Sequence, residues 1–269
     1  MISFVGAGPG APDLITVRGA ARLAAADVVI WASSLVPEAV LIHTRPGVDL
    51  HDSATLTLED VLGIYAASPQ AAIVRLHSGD PSIYGAVQEQ LAWCVEHERS
   101  WEIVPGVTSL AAAAAAVGRE LTIPTVSQSV ILTRLAGRTA ASMPSRESVA
   151  AMSAHGATMA VFLSAARPAE LRAQLLAAGS AYTADTPAAI VIRASWPDER
   201  VVTTTVGDLA DDLAASGATM TVLVLVGEAL RHGPPPARTN LYAPGYAHSY
   251  RKRSAKGSTA GRPVTRRPR

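Results

Sequence analysis

Cysteine occurs once in the 269 residues, as Cys94, which excludes an internal disulfide framework and a cysteine-rich zinc site. Lysine is nearly absent: Lys252 and Lys256 are the only two, and every other basic residue is arginine. Charged residues make up 17%, below the roughly 25% usual in soluble proteins. The apolar fraction of 49% excludes a chain that is disordered throughout and allows sizeable cores. No apolar run approaches the ~20 residues of a membrane span. Residues 110–117 come nearest, and they are short and mostly alanine. The opening MISFVGAGPG has neither a basic segment nor a cleavable apolar stretch, so a cytoplasmic location is expected.

The formal net charge of +1 conceals an asymmetry. From Arg231 onward there are ten basic residues and no acid, which leaves 13 basic against 22 acidic residues before it. The segment 247–269 is rich in Arg, Gly, Ser and Pro and cannot bury enough surface to offset its ordering entropy. It is read as a disordered basic tail. Nucleic-acid binding by this tail is electrostatically feasible, but a solvated extension without that role is the preferred reading.

Along residues 1–119, short β-like runs alternate with helical stretches. Strands are expected at 2–5, 27–31, 71–76 and 101–104, and helices at 16–25, 58–67, 84–98 and through the alanine run. That alternation predicts a parallel sheet with helices on both faces. The segment 118–124 (GRELTIP) reads as a linker. In a second unit, 125–232, strands are expected at 127–132, 158–163, 188–192, 200–205 and 220–226, with helices at 168–178 and 207–215. Several of these strands have no helix between them, so this sheet is expected to be mixed. The fold class is therefore two-domain α/β, with a basic tail.

Three loops carry the chemistry. Gly6-Ala7-Gly8-Pro9-Gly10-Ala11 follows the first strand and formally matches the dinucleotide fingerprint G-x-G-x-x-A. Pro9 and Pro12 obstruct a helix leaving the glycines directly. The end of the second strand offers no acid for a ribose hydroxyl, which weighs against a nicotinamide-dependent oxidoreductase. Ser78-Gly79-Asp80-Pro81-Ser82 follows the third expected strand, where Asp80 or Ser82 can cap a helix whose first turn holds Pro81. Pro105-Gly106-Val107-Thr108-Ser109 follows the fourth, and Thr108 or Ser109 can cap the alanine helix. The first loop has a plain tight turn as its alternative reading, and the second a capped helix start and nothing more. All three fall after strands of one parallel sheet and open on its carboxyl edge, where such sheets bind ligands.

VGAGPGAPDLIT, SGDPSIYGAVQEQ and VPGVTSLAAAAA, in this order and spacing, resemble the S-adenosylmethionine (SAM)-dependent tetrapyrrole methylase family, and the likeness runs from about residue 2 to 227. SSLVP, HDSATLTLED, IPTVSQSVILTRLAGRT, MPSRES and IVIRASWPDE resemble the branch that methylates C-11 of precorrin-4 in cobalamin biosynthesis. The resemblance implies a tetrapyrrole methylase fold with the site in the cleft between two α/β domains. It implies SAM as methyl donor, S-adenosyl-L-homocysteine as product, a polycarboxylate tetrapyrrole substrate and a homodimer. The cofactor contacts it implies are Pro9, Ser78, Gly79, Asp80, Ile83, Thr108, Ser109, Leu163 and Ala194. The usual Gly-Gly-Asp triplet starts with Ser78 here, and the acid of the first loop is replaced by Ala11. Other precorrin methylases of this fold, including the cobalt-precorrin-4 form, remain alternatives.

Methyl transfer of this kind needs alignment more than a nucleophilic side chain or a metal. Accordingly there is no H-E-x-x-H or Cys/His ligand set, no metal is expected, and His43, His51 and His77 are read as structural or solvated. Arginines can grip substrate carboxylates bidentately. The candidates are Arg75, Arg119, Arg134 and Arg138, of which Arg134 and Arg138 lie in the branch-like stretch and are the substrate-binding assignment. No general base is identified, Asp52 being a weak candidate against a capping role.

Overall fold

A computed structural model describes residues 1–137, 140–234, 237, 239, 241, 243 and 246–250. Two five-stranded sheets dominate it. The first contains β1 (Ile2–Gly6), β2 (Val28–Trp31), β3 (Asp49–Asp52), β4 (Ile73–His77) and β5 (Trp101–Val104) in the order β3-β2-β4-β1-β5, all parallel. Strand β1 is buried along its whole length because both faces are covered, which is why its sequence is nearly continuously apolar. One face packs Val5, Val29, Val74 and Leu76 on Leu23 of α1 (Val17–Ala24). The other packs Phe4, Ile30 and Ile73 on α2 (Leu58–Ala67) and α3 (Gln88–Glu96) through Val61, Tyr65 and Leu91. Local chemistry starts two of these helices. Thr16 caps α1 by accepting from Gly19 N–H at 3.1 Å, and Thr57 with Asp60 forms a reciprocal capping box on α2.

The second sheet contains β6 (Val130–Arg134), β7 (Thr158–Phe162), β8 (Pro187–Ile192), β9 (Arg200–Thr205) and β10 (Val222–Val226) in the order β6-β7-β10-β8-β9. Only β6 and β7 run parallel; the other pairs are antiparallel, so the sheet is mixed as expected. One face is covered by α5 (Val149–Ser153), α6 (Pro168–Leu175) and α7 (Leu209–Ala215). The opposite face is covered by the alanine helix α4 (Ser109–Ala116). Ala112 and Ala113 share a core with Ala160, Ala189, Leu223 and Leu225. The helix thus leaves the first sheet and packs on the second. Leu121 and Ile123 of the expected linker are buried, and the Leu121 carbonyl accepts from Thr158 Oγ1 at 2.8 Å.

Several local expectations are corrected. A short exposed strand, β3, precedes the expected third strand, which is β4. Its residues Asp-Leu-His-Asp carry no apolar run. Helix α3 starts at Gln88 and not near Tyr84, because Tyr84 and Ala86 have left-handed backbone with φ of 54° and 47°. Asp80, Pro81 and Ser82 therefore cap and open no helix. Strand β6 begins at Val130. Ser127, expected within it, instead accepts from Thr158 N–H through its hydroxyl at 3.0 Å. The first glycine loop leads to a 3-10 turn at Pro12–Leu14, and α1 follows only from Val17, so no helix N-terminus faces the glycines.

Candidate active site

The three loops leave β1, β4 and β5, which are adjacent strands, so they meet at one carboxyl edge. Gly8 and Gly79 exchange two backbone hydrogen bonds of 3.2 and 2.8 Å. At Gly6 a Cβ would come within 2.5 Å of Gly106 Cα and 2.6 Å of the Gly79 carbonyl oxygen. Three glycine backbones therefore cross where any side chain would force them apart. Asp80 ties the second loop to the third. One carboxylate oxygen accepts from Gly106 N–H at 2.8 Å, and the other accepts from the Ser82 N–H and hydroxyl. Burial opposes ionisation of Asp80. The Ser82 and Gly106 hydrogen bonds outweigh it and hold the carboxyl below the usual range. Thr108 caps α4 by accepting from Ala111 N–H at 3.3 Å.

The second half closes on these loops at two places. Trp196, between β8 and β9, donates its indole N–H to the Pro9 carbonyl at 3.0 Å, and Ser195 Oγ accepts from Ala11 N–H at 3.0 Å. The indole lies against Gly10, where a Cβ would meet its nitrogen at 2.5 Å. Tyr84, from the second loop, meets Phe162 at the end of β7 edge-on at 5.2 Å. Leu163 follows with φ 54° and stays 67% exposed. Of the eight described non-glycine residues with left-handed backbone, Tyr84, Ala86, Leu163, Arg193 and Ser195 lie on these segments. Such strain collects at sites that need a fixed, unusual backbone path.

The residues named as cofactor contacts lie on five segments: the three crossing loops, the 194–196 segment that bonds to the first loop, and the 162–163 segment that meets the second. Pro9, Gly79, Asp80 and Ala194 are buried, Ile83, Thr108 and Ser109 are half-buried, and Ser78 and Leu163 are exposed. A cavity of about 500 Å³ opens beside Tyr84, lined also by Leu132, Arg134, Ser142, Met143 and Glu147. Arg134 donates to Ser142 Oγ at 2.9 Å. Arg138 lies outside the described residues. Two other arginines are not in this cavity. Arg75 lies on β4 and donates to the Ile30 and Leu76 carbonyls at 3.4 and 3.2 Å, and Arg119 donates to the Ala229 and Arg231 carbonyls. Asp52 is a cap: it accepts from Ala54 and Ser33 N–H, with a carboxyl held below the usual range by the Ser33 contacts. A lowered value makes a weaker base, and β3 is three strands from β1, roughly 14 Å at ~4.8 Å per strand. His43 Nε2 braces the first loop through the Pro12 carbonyl at 3.0 Å, and His51 pairs with Asp49. His77 is buried, and its burial, with Arg75 nearby, pushes its pKa down to about 3.

A family profile of the tetrapyrrole (corrin/porphyrin) methylases matches residues 1–210. The chain belongs to that family. This tetrapyrrole methylase is 40% identical to the cobalt-precorrin-4 C(11)-methyltransferase of Methanocaldococcus jannaschii, over 95% of this chain and 97% of that one. It is 43% identical to the precorrin-4 C(11)-methyltransferase of Pseudomonas aeruginosa, over 93% and 98%. A solved cobalt precorrin-4 methyltransferase, described as a cobalamin biosynthetic enzyme, superposes with TM-score 0.81 at 41% identity, covering 86% of this chain and 96% of that one. The uroporphyrin-III C-methyltransferase of Thermus thermophilus, solved with the demethylated cofactor product, gives 0.70 at 25% identity over 85% and 98%. The family sets the fold and the class of reaction. Sequence reasoning gave no role to Trp196, Ser195, Tyr84 or Glu147, although all four lie in quoted segments. Their only signal is their place in those segments: the partners of Ser195, Trp196 and Tyr84 are remote in sequence, and the Glu147 side chain has none among the described residues.

Proposed function

We propose that this tetrapyrrole methylase transfers the methyl group of S-adenosyl-L-methionine to C-11 of precorrin-4. The observation that carries the reading is the 40–43% identity to C(11)-methyltransferases over more than nine-tenths of both chains. When bound, SAM supplies an electrophilic methyl on a sulfonium whose charge disappears in transfer, so water-poor walls favour the step. The residues present fit such a ligand. Ile83, Ala194 and the exposed Leu163 offer apolar flanks for an adenine, while Pro9, Ser78, Gly79, Asp80, Thr108 and Ser109 offer loop backbone and small polar groups for the ribose and amino-acid end. No phosphate cradle is needed, which agrees with the lack of a helix N-terminus behind the first loop.

The macrocycle edge, with its carboxylates, is assigned to the cavity at Arg134, with Arg138 as the second gripping residue. A cobalt-loaded substrate is the second reading, favoured by the solved relative that carries cobalt precorrin-4 in its description. Incubation with SAM and metal-free or cobalt-loaded precorrin-4, followed by mass spectrometry and NMR of the product, tests both. A new methyl at C-11 is expected; a methyl elsewhere on the ring, or none, overturns the reading. Thermal shift with SAM against NAD⁺ is expected to show stabilisation by SAM alone.

A further inference from the structure

The cavity beside Tyr84 contains a charge that a polyanionic ligand does not explain. Glu147 lies within the MPSRES turn and contributes the only carboxylate among the described residues of the lining. Among the described residues that carboxylate accepts no hydrogen bond and forms no ion pair, although its backbone is fixed: the Glu147 carbonyl accepts from Thr133 Oγ1 at 3.1 Å and its N–H donates to the Pro144 carbonyl at 2.9 Å. Among the described residues, Arg134 and Tyr84 are the other charged or titratable groups of the lining. Arg146 precedes Glu147 in the chain on the same turn. Burial raises the Tyr84 phenol, with Arg134 lowering it and Glu147 raising it, so the three groups share one field.

A tetrapyrrole with acetate and propionate arms presents many acceptors at its rim, and these suit Arg134. Its hydrogen-bond donors at neutral pH are its ring N–H groups. A carboxylate with no partner among the described residues, in the same cavity as an arginine, is complementary to such an N–H and repels the acid arms, which fixes which way the ring sits. Given the methyltransferase reading above, on which this rests, we propose that Glu147 is the general base of the reaction.

The balance is closed. The S–CH₃ bond breaks and its electron pair stays on sulfur. A ring carbon forms the new C–CH₃ bond with electrons conjugated from a ring nitrogen, leaving that nitrogen as a protonated iminium. Glu147 takes the N–H proton, the ring returns to neutrality, and the exposed carboxylic acid passes the proton to solvent. No oxidant, reductant or metal is consumed. The placement suits the step: Tyr84 adjoins Ile83 on the second loop, so the cavity abuts the segments assigned to the cofactor.

Glu147→Gln and Glu147→Asp test the assignment, with wild-type product analysis on precorrin-4 run first. If wild type forms no C-11-methylated product, the functional reading fails by itself. With that product formed, Glu147→Gln is expected to lower kcat about 100-fold and to abolish the acid limb of the kcat–pH profile. SAM affinity by calorimetry stays within twofold, which also shows the variant is folded. Glu147→Asp keeps the acid limb at reduced rate. Wild-type kcat and profile in Glu147→Gln overturn the proposal, as does a lowered rate that keeps the acid limb. If Glu147→Gln does not fold, Glu147→Asp decides: loss of its acid limb overturns the assignment.

Discussion

Asp80 and His77 stand three residues apart at the end of β4 and do different work. Asp80 holds the second and third loops together through Gly106, so Asp80→Ala is expected to raise the SAM dissociation constant about tenfold by calorimetry. Unchanged affinity would show that the loops hold their positions without it. His77 is a stability residue with a pH signature. Its folded pKa of about 3 lies below the ordinary ~6.5, so between these values the unfolded chain binds a proton that the folded one refuses. Stability is therefore full above pH 6.5 and falls as pH drops, by up to about 1.4 kcal/mol per unit. Urea melts at pH 5 and 7 are expected to show this slope in wild type and lose it in His77→Gln. The sequence offers Asp80 as a helix cap and, through the family resemblance, as a cofactor contact. The cap is not formed because Tyr84 and Ala86 turn left-handed and delay α3 to Gln88, which neither residue type announces.

At the scale of elements, α4 illustrates what composition alone leaves open. Six consecutive alanines predict a helix able to pack closely, without saying on what. The helix lies on β7, β8 and β10, with Ala113 fully buried. Ala113→Leu is expected to cost about 1–3 kcal/mol by overpacking, read as a lowered denaturation midpoint without a changed slope. Strands β1, β2 and β4 were legible because burial on both faces demands unbroken Val, Ile and Leu. Strand β3 was hidden because an exposed edge strand needs no such run. Helix α5 was missed because five residues are too few to show a period. Which loops meet was legible from parallel topology; that they cross at three glycines was not, since the crossing is a property of three distant positions at once.

At the scale of the whole molecule, the site belongs to neither half alone. Residues 9 to 109 supply the loops, and residues 132 to 196 supply most of the cavity wall and the cover. Arg134→Ala is expected to raise KM for the tetrapyrrole roughly tenfold with little change in kcat. Deleting residues 251–269 is expected to leave kcat unchanged and at most slow substrate capture at low salt, because long-range charge steers a polyanion without orienting it. Steady-state kinetics on the two variants separates these roles. Light scattering at micromolar concentration is expected to give the mass of a homodimer. The indole of Trp196 sits on the boundary between the halves, bonded to the Pro9 carbonyl and covered by the Arg193 guanidinium at 4.5 Å. The other three tryptophans, Trp31, Trp93 and Trp101, lie in β2, α3 and β5. With those three replaced by phenylalanine, the protein keeps a single tryptophan at the lip of its own ligand loop, and occupancy of that loop is readable as a change of its emission, excited at a wavelength where tyrosine does not absorb, without any attached dye.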